Sequence, residues 1–279
     1  MAWIWVVAAA GAILLLWAVS LGRILSSPAL YCLPPSPRFS PPLHGDRRSR
    51  NVLLVLAHPD DESMYVCCAS LPLLPVCPAH QVLDEIHAVS NSRGRFFSPT
   101  ILFLESKGHK LHVLCMSLGN ADGFGDTRKE ELYNACATLK IPAEQVAVLD
   151  HQNLQDGFHE EWDHGLLAEF TMEQIQLWDI DTIVTFDSYG VSGHPNHRDV
   201  HHGICKLLHE NQQENIEAWE LVSLNMFRKY SGAVEIWLSP LISSSSKQLV
   251  CCLVNCSPSR TFKAMAHTEA SGFGLEDCL

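Results

Sequence analysis

His58 and Asp61 stand three residues apart in "VLLVLAHPDDESM" (Val52 to Met64), where an apolar run ends in one imidazole and three carboxylates. If the chain turns into a helix there, both side chains face the same crevice. An imidazole and a carboxylate begin a zinc site, which a ligand from elsewhere completes. Asp60 is then free to serve as a base, with Glu62 as a supporting group behind it. The same residues also suit a turn followed by helix-capping acids, because carboxylates favour helix N-termini.

A second cluster moves the balance towards metal. In "DTIVTFDSYGVSGHPNHRDVHHGICKLLHE" an apolar run ends in Asp187, a glycine-containing loop follows, and His194-Pro-Asn-His197 opens a helical pattern. Both clusters fall at the ends of apolar runs, which simple capping does not explain. His197 and His201, four apart, form an alternative ligand pair; otherwise His201, His202 and His209 read as solvated or core-facing helix residues. Three protein ligands with an open fourth position describe a hydrolytic zinc site. Asp60 would remove a proton, and a neighbouring imidazole would stabilise an oxyanion or protonate a leaving amine. The residues alone indicate metal-assisted hydrolysis of no particular substrate.

Positioning these groups requires a sheet. Apolar runs at Val52–Ala57, Leu111–Ser117, Val146–Asp150, Thr182–Asp187 and Ala218–Ser223 predict strands. Helical patterns lie around Pro99–Lys107, Arg128–Leu139, His164–Leu177 and His197–His209. Thr127 and Glu130 match a capping box at the start of the second of these helices. Strands that are apolar throughout and separated by helices predict a Rossmann-like α/β/α sandwich of three layers, with a mostly parallel sheet. In such folds, sites gather at the C-terminal ends of the strands.

Composition narrows the setting. A formal charge of -12 argues against binding nucleic acid backbones. The 11 cysteines lack framework spacing, which favours reduced thiols in a cytosol-facing domain. Trp3 to Gly22 carries no charge and has the length of a transmembrane helix. A cleaved signal peptide is the competing reading, but the segment lacks a basic start and a short apolar core. Arg23, Arg38, Arg47, Arg48 and Arg50 follow it against the single acid Asp46, placing the body on the cytoplasmic side. A glycan on the sequon at Asn255 would indicate the opposite topology. Residues 1–25 are thus expected to form a membrane anchor. Residues 26–50 form a proline- and arginine-rich linker, which also has the character of an SH3-type ligand. Residues 51–266 form the domain, and 267–279 a polar tail.

"AHPDDE" followed much later by "GHPNH", with "GNADGFGDTRKEEL" between them, resembles the motifs of the LmbE-like (PIG-L) zinc de-N-acetylases. "TFDSYGVSGHPNH" is similar to the eukaryotic branch of that family. The resemblance implies that His58, Asp61 and His197 hold Zn2+ or another divalent ion, and that Asp60 is the general base. It implies that His194 stabilises the oxyanion or acts as acid, that Arg128 contacts substrate, and that Glu131 positions substrate or loop. The implied reaction removes acetate from the GlcNAc of GlcNAc-phosphatidylinositol, a step of GPI-anchor synthesis, at the cytoplasmic face of the endoplasmic reticulum membrane. The chain departs from the family pattern at residues 65–95, which read as an insert, and at the tail. Two alternatives therefore stand beside this reading: an inactive membrane-tethered variant, and a deacetylase of another GlcNAc conjugate. Cys67, Cys68, Cys77 and His80 within the insert are a separate set of possible metal ligands, though their spacing matches no familiar zinc module.

Overall fold

β1 (Asn51–Leu56) is buried on both faces, with Val52 to Leu56 wholly excluded from solvent, as its unbroken apolar run requires. The computed structural model describes residues 2–26, 49–59, 61, 71–75, 97–210, 216–221, 223, 251–253 and 258–267. In chain order the elements begin with α1 (Ala2–Ser26), β1 and β2 (Leu71–Pro75), then α2 (Ser98–Ser106) and β3 (Lys110–Cys115). α3 (Gly125–Thr138), β4 (Val146–Val148), α4 (His164–Trp178) and β5 (Thr182–Phe186) follow. The last are α5 (Gly190–Gly193), α6 (Pro195–Glu210), β6 (Glu217–Leu221), β7 (Cys251–Leu253) and α7 (Pro258–Met265).

Among the described residues the sheet order is β4-β3-β1-β5-β6-β2-β7. The first five strands run parallel; β2 adds to β6 antiparallel, and β7 pairs antiparallel with β2 and so runs in the direction of the first five. Apart from β2, which lies beyond β6, the chain moves outward from β1 through β3 to β4, then returns to the other side of β1 as β5. The point of reversal therefore lies between β1 and β5, where open α/β sheets place their ligand crevice. α4 and α6 pack on one another, and both touch β1. α3 packs with α7, whose Arg260 lies 3.2 Å from Glu105 at the end of α2. This is the expected three-layer arrangement with a mostly parallel sheet.

One expectation needs correction. The capping box at Thr127 and Glu130 does not form, because α3 starts earlier, at Gly125, with Phe124 before it. Asn120 Oδ1 instead accepts from Gly125 N at 2.9 Å, so an upstream side chain satisfies a free donor at the helix start. The segment 65–95 also contributes a strand. Leu73 to Pro75 pair with Trp219 to Leu221 of β6, and Leu71 to Leu73 pair with β7. Pro72 and Pro75 lack the N–H that a ladder uses, so this strand carries a weak sequence signal. Cys67, Cys68, Cys77 and His80, like the linker and the tail, lie outside the described residues.

α1 is the one element set apart by its surface. Its 18-residue stretch Trp3–Ser20 has mean hydropathy 2.1, and its side chains are almost wholly exposed. Among the described residues it is the single helix long and apolar enough to cross a bilayer.

Candidate metal centre

The loops that follow β1 and β5 meet at the reversal point. Beyond β1 the chain bends rather than entering a helix at once: Asp61 N donates to His58 O at 3.3 Å. Asp61 Oδ2 accepts from the amides of Ala57 (3.0 Å) and His58 (2.9 Å). This turn points Asp61 Oδ1 towards His197 Nε2, 3.3 Å away. The same His197 nitrogen lies 3.2 Å from His58 Nδ1. All three residues are buried.

The outward nitrogens of both imidazoles are engaged. His197 Nδ1 faces Gly190 O at 3.0 Å, and His58 Nε2 faces Asp156 Oδ1 at 3.0 Å. Each partner is an acceptor, so each outward nitrogen carries the proton and each inward nitrogen presents a lone pair. His194 stands beside them, its ring centroid 4.9 Å from that of His58. His58, His194 and His197 each offer a ring nitrogen, and these atoms lie within 4.8 Å of one another.

Such donors suit a tetrahedral cation. Metal–ligand bonds of about 2.0–2.1 Å imply donor separations of about 3.3 Å. The contacts of His197 Nε2 with His58 Nδ1 (3.2 Å) and Asp61 Oδ1 (3.3 Å) match that spacing. An imidazole–imidazole–carboxylate set is of the borderline type that zinc favours.

Burial pushes the Asp61 carboxyl up, but with His197 protonated on Nε2 its charge and hydrogen bond, then the charge of His58, outweigh it and hold the pKa down at about 2. A cation at the centre would take the place of that proton, leaving Asp61 ionised and His197 neutral. Burial and then the charges of His58 and His197 lower His194 to about 4. Asn196 N donates to His194 Nδ1 at 3.3 Å, which puts the remaining proton of a neutral ring on Nε2. The Asn196 amide, assigned from its neighbours, donates to His194 Nδ1 (3.2 Å) and Gly157 O (3.1 Å) and accepts from Trp162 Nε1 (2.8 Å).

Of the other expected site residues, Arg128 reaches the centre through Asp156: its Nη1 donates to Gly119 O and lies 3.7 Å from Asp156 Oδ2. Gly119 has φ +66, and a Cβ there would meet Pro59 Cδ at 2.9 Å, so this tight turn packs directly on the His58 loop. Glu131 is buried on α3, three residues beyond Arg128. Asp60 lies outside the described residues. His201 turns away: its Nδ1 faces Phe186 O at 3.0 Å and its Nε2 faces Cys205 Sγ at 3.4 Å, which leaves no role in a ligand pair with His197.

Asp156 and Asn196 emerge only from the structure. Asp156 sits in an aperiodic loop between His151 and His159, and its sequence signal is weak: an acid before Gly157, following the C-terminal end of β4. That strand end borders the same edge of the sheet.

Behind the centre, burial and then the neighbouring Asp187 carboxylate push Glu220 up to about 8. The folded chain therefore binds this proton more tightly than the unfolded chain. The stability it contributes is complete below about pH 4.5 and is lost as pH rises through about 8. Glu220→Gln is expected to remove that loss, which is up to about 5 kcal/mol. Thermal unfolding from pH 5 to 9 should show the variant matching the parent at the acid end and exceeding it by several degrees at the alkaline end. Parallel pH profiles would contradict the assignment.

Comparison with known proteins adds likenesses. The family model described as PIG-L, GlcNAc-PI de-N-acetylase, matches residues 95–208. That range takes in Arg128, Asp156, His194 and His197 and begins after His58 and Asp61. The chain is similar to the probable N-acetylglucosaminyl-phosphatidylinositol de-N-acetylase of Schizosaccharomyces pombe, with 35% identity over 64% of this chain and 60% of that one. It is 31% identical to the N-acetylglucosaminyl-phosphatidylinositol de-N-acetylase of Bos taurus, over 68% of this chain and 64% of the relative. The chain thus spans about three fifths of the length of these curated relatives. Among solved structures, the N,N'-diacetylchitobiose deacetylase of Pyrococcus horikoshii aligns with 68% of this chain and 70% of its own, at 14% identity and a TM-score of 0.41.

Proposed function

We propose that this chain, similar to the PIG-L proteins over residues 95–208, belongs to that family and hydrolyses the acetamide of N-acetylglucosaminyl-phosphatidylinositol, giving glucosaminyl-phosphatidylinositol and acetate. The observation that carries the reading is the convergence of His58 Nδ1 and Asp61 Oδ1 on His197 Nε2, at 3.2 and 3.3 Å. These three residues are assigned as ligands of a divalent ion, zinc by donor type. When bound, the ion supplies Lewis-acid polarisation and activates water at neutral pH.

The chain's own groups do the rest. In the reaction the oxygen of water joins the acetyl carbon, the C–N bond breaks, and the amine takes up a proton. Asp60 is assigned as the base that receives the proton of water. His194, neutral at pH 7 by its lowered pKa and carrying its proton on Nε2, is assigned as the donor that stabilises the oxyanion. Asp156 holds His58 in the tautomer that turns the Nδ1 lone pair towards His197 Nε2. Arg128, beside Asp156, is assigned to the sugar or its phosphate, with Glu131 supporting that helix.

A lipid substrate keeps its acyl chains in the bilayer, and α1 suits an enzyme that must stay with them. The basic residues after α1 favour a catalytic domain on the cytoplasmic side, and the substrate favours the endoplasmic reticulum membrane. The test uses the full chain in detergent with GlcNAc-phosphatidylinositol. Free amine and acetate are expected in equal amounts, lost with a chelator and restored by zinc. Product formation that survives complete chelation would defeat the metal assignment. A zinc-loaded chain that forms no product would instead favour the inactive, membrane-tethered variant.

A further inference from the structure

Val191 stands in a backbone conformation that valine rarely adopts. Its φ of 58° and ψ of -43° fall in the positive-φ half of the map, and its side chain is buried. A β-branched residue there is a true outlier, and such strain persists only where surrounding contacts hold it. The preceding Gly190 has φ +69; a Cβ at that position would come within 2.7 Å of His197 Cβ and 3.1 Å of Arg198 N. The backbone at 190 therefore presses against the helix that bears His197. The carbonyl of Gly190 is the group that faces His197 Nδ1.

One carboxylate gathers this loop. Asp187, the first residue after β5, accepts through Oδ1 from the amides of Tyr189 (3.2 Å), Gly190 (3.0 Å) and Val191 (3.5 Å). The same oxygen accepts from Ser223 Oγ at 2.7 Å, and Oδ2 accepts from Ser223 N at 2.6 Å. Ser223 Oγ in turn accepts from Val191 N at 2.9 Å. Asp187 and Ser223 thus tie the loop after β5 to the chain leaving β6.

We propose that Asp187, with Ser223, is a positioning residue for the metal ligand His197: it clamps the strained Val191 so that the Gly190 carbonyl holds the ring with Nε2 facing the centre. The clamp makes no contact with the ion and acts through one backbone carbonyl. This inference rests on the assignment of His197 as a ligand. It does not depend on the identity of the substrate.

Zinc affinity of the full chain in detergent, measured by competition with a chromogenic chelator, is the readout, with the thermal midpoint of the metal-free protein beside it. Asp187→Asn replaces an acceptor oxygen by a donor and should weaken zinc binding by about 10–100-fold, the range for groups that orient a ligand. Ser223→Ala removes one hydroxyl from the same clamp and should weaken it by a smaller factor. Val191→Gly removes the conformational penalty, so Asp187→Asn combined with Val191→Gly should recover most of the lost affinity. A purely structural Asp187 would lower the thermal midpoint without that recovery. The proposal is overturned if folded Asp187→Asn keeps the parent's zinc affinity, or if Val191→Gly rescues stability and not affinity. Should Asp187→Asn fail to fold, Ser223→Ala with unchanged affinity overturns it equally. Failure to deacetylate GlcNAc-phosphatidylinositol by a chain that shows this pattern would end the proposed reaction and leave the clamp standing. A parent chain that binds no zinc would end both.

Discussion

His197→Ala is expected to strip zinc from the purified chain and to lower deacetylation by at least about 10³-fold, equivalent to about 4 kcal/mol of transition-state stabilisation. His197 Nε2 is where the other two assigned donors meet, so its removal leaves His58 and Asp61 without a shared centre. It also leaves the buried Asp61 carboxylate without its strongest stabilising neighbour. Zinc analysis and turnover should fall together in this variant. Asp60→Asn provides the contrast, because a base that is not a ligand should lose turnover while zinc remains. A His197→Ala protein that retains stoichiometric zinc would refute the ligand assignment.

Asp156→Ala is expected to lower metal affinity or turnover by about 10–100-fold. Its carboxylate is the group 3.0 Å from His58 Nε2, and it also lies beside Arg128. Alanine leaves the His58 proton without that acceptor and lets the ring present the wrong nitrogen. Asp156→Asn keeps one acceptor oxygen and should lose less, although it forfeits the charge that faces Arg128. Chelator competition and steady-state kinetics on both variants separate the two roles. A fall in affinity reports the His58 contact, and a rise in KM alone reports the Arg128 side. Parent-like values for Asp156→Ala in both measurements would remove Asp156 from the site.

The parallel core could be read from the sequence because its strands are buried on both faces. A strand such as β1 must be apolar throughout, and that pattern is visible without a structure. Strand ends then located His58, His194 and His197 on one edge of the sheet. What could not be read has particular physical causes. β2 carries prolines near both ends, and its partners β6 and β7 come from the far end of the chain. The start of α3 depends on Asn120, a side chain five residues upstream of Gly125, rather than on the local Thr127 pattern. Asp156 acts through a loop without periodicity, and its meaning exists only once His58 lies beside it. The role of Asp187 was hidden for a similar reason. As one acid at a strand end it is unremarkable in sequence, and its function lies in amides two to four residues on and in Ser223, 36 residues away.

The meeting of His58 with His197 joins positions 139 residues apart, one from each side of the reversal in the sheet. An ion held between them is therefore a cross-link as well as a reagent. It closes a loop of about half the chain, and it binds an arrangement that the unfolded polypeptide does not possess. Ligation of the native state alone adds RT ln(1 + [L]/Kd) to stability, about 4 kcal/mol when the free ion is at a thousand times its Kd. Metal supply would then govern how long the folded chain survives as well as the proposed turnover, with the apo form the more readily unfolded and degraded.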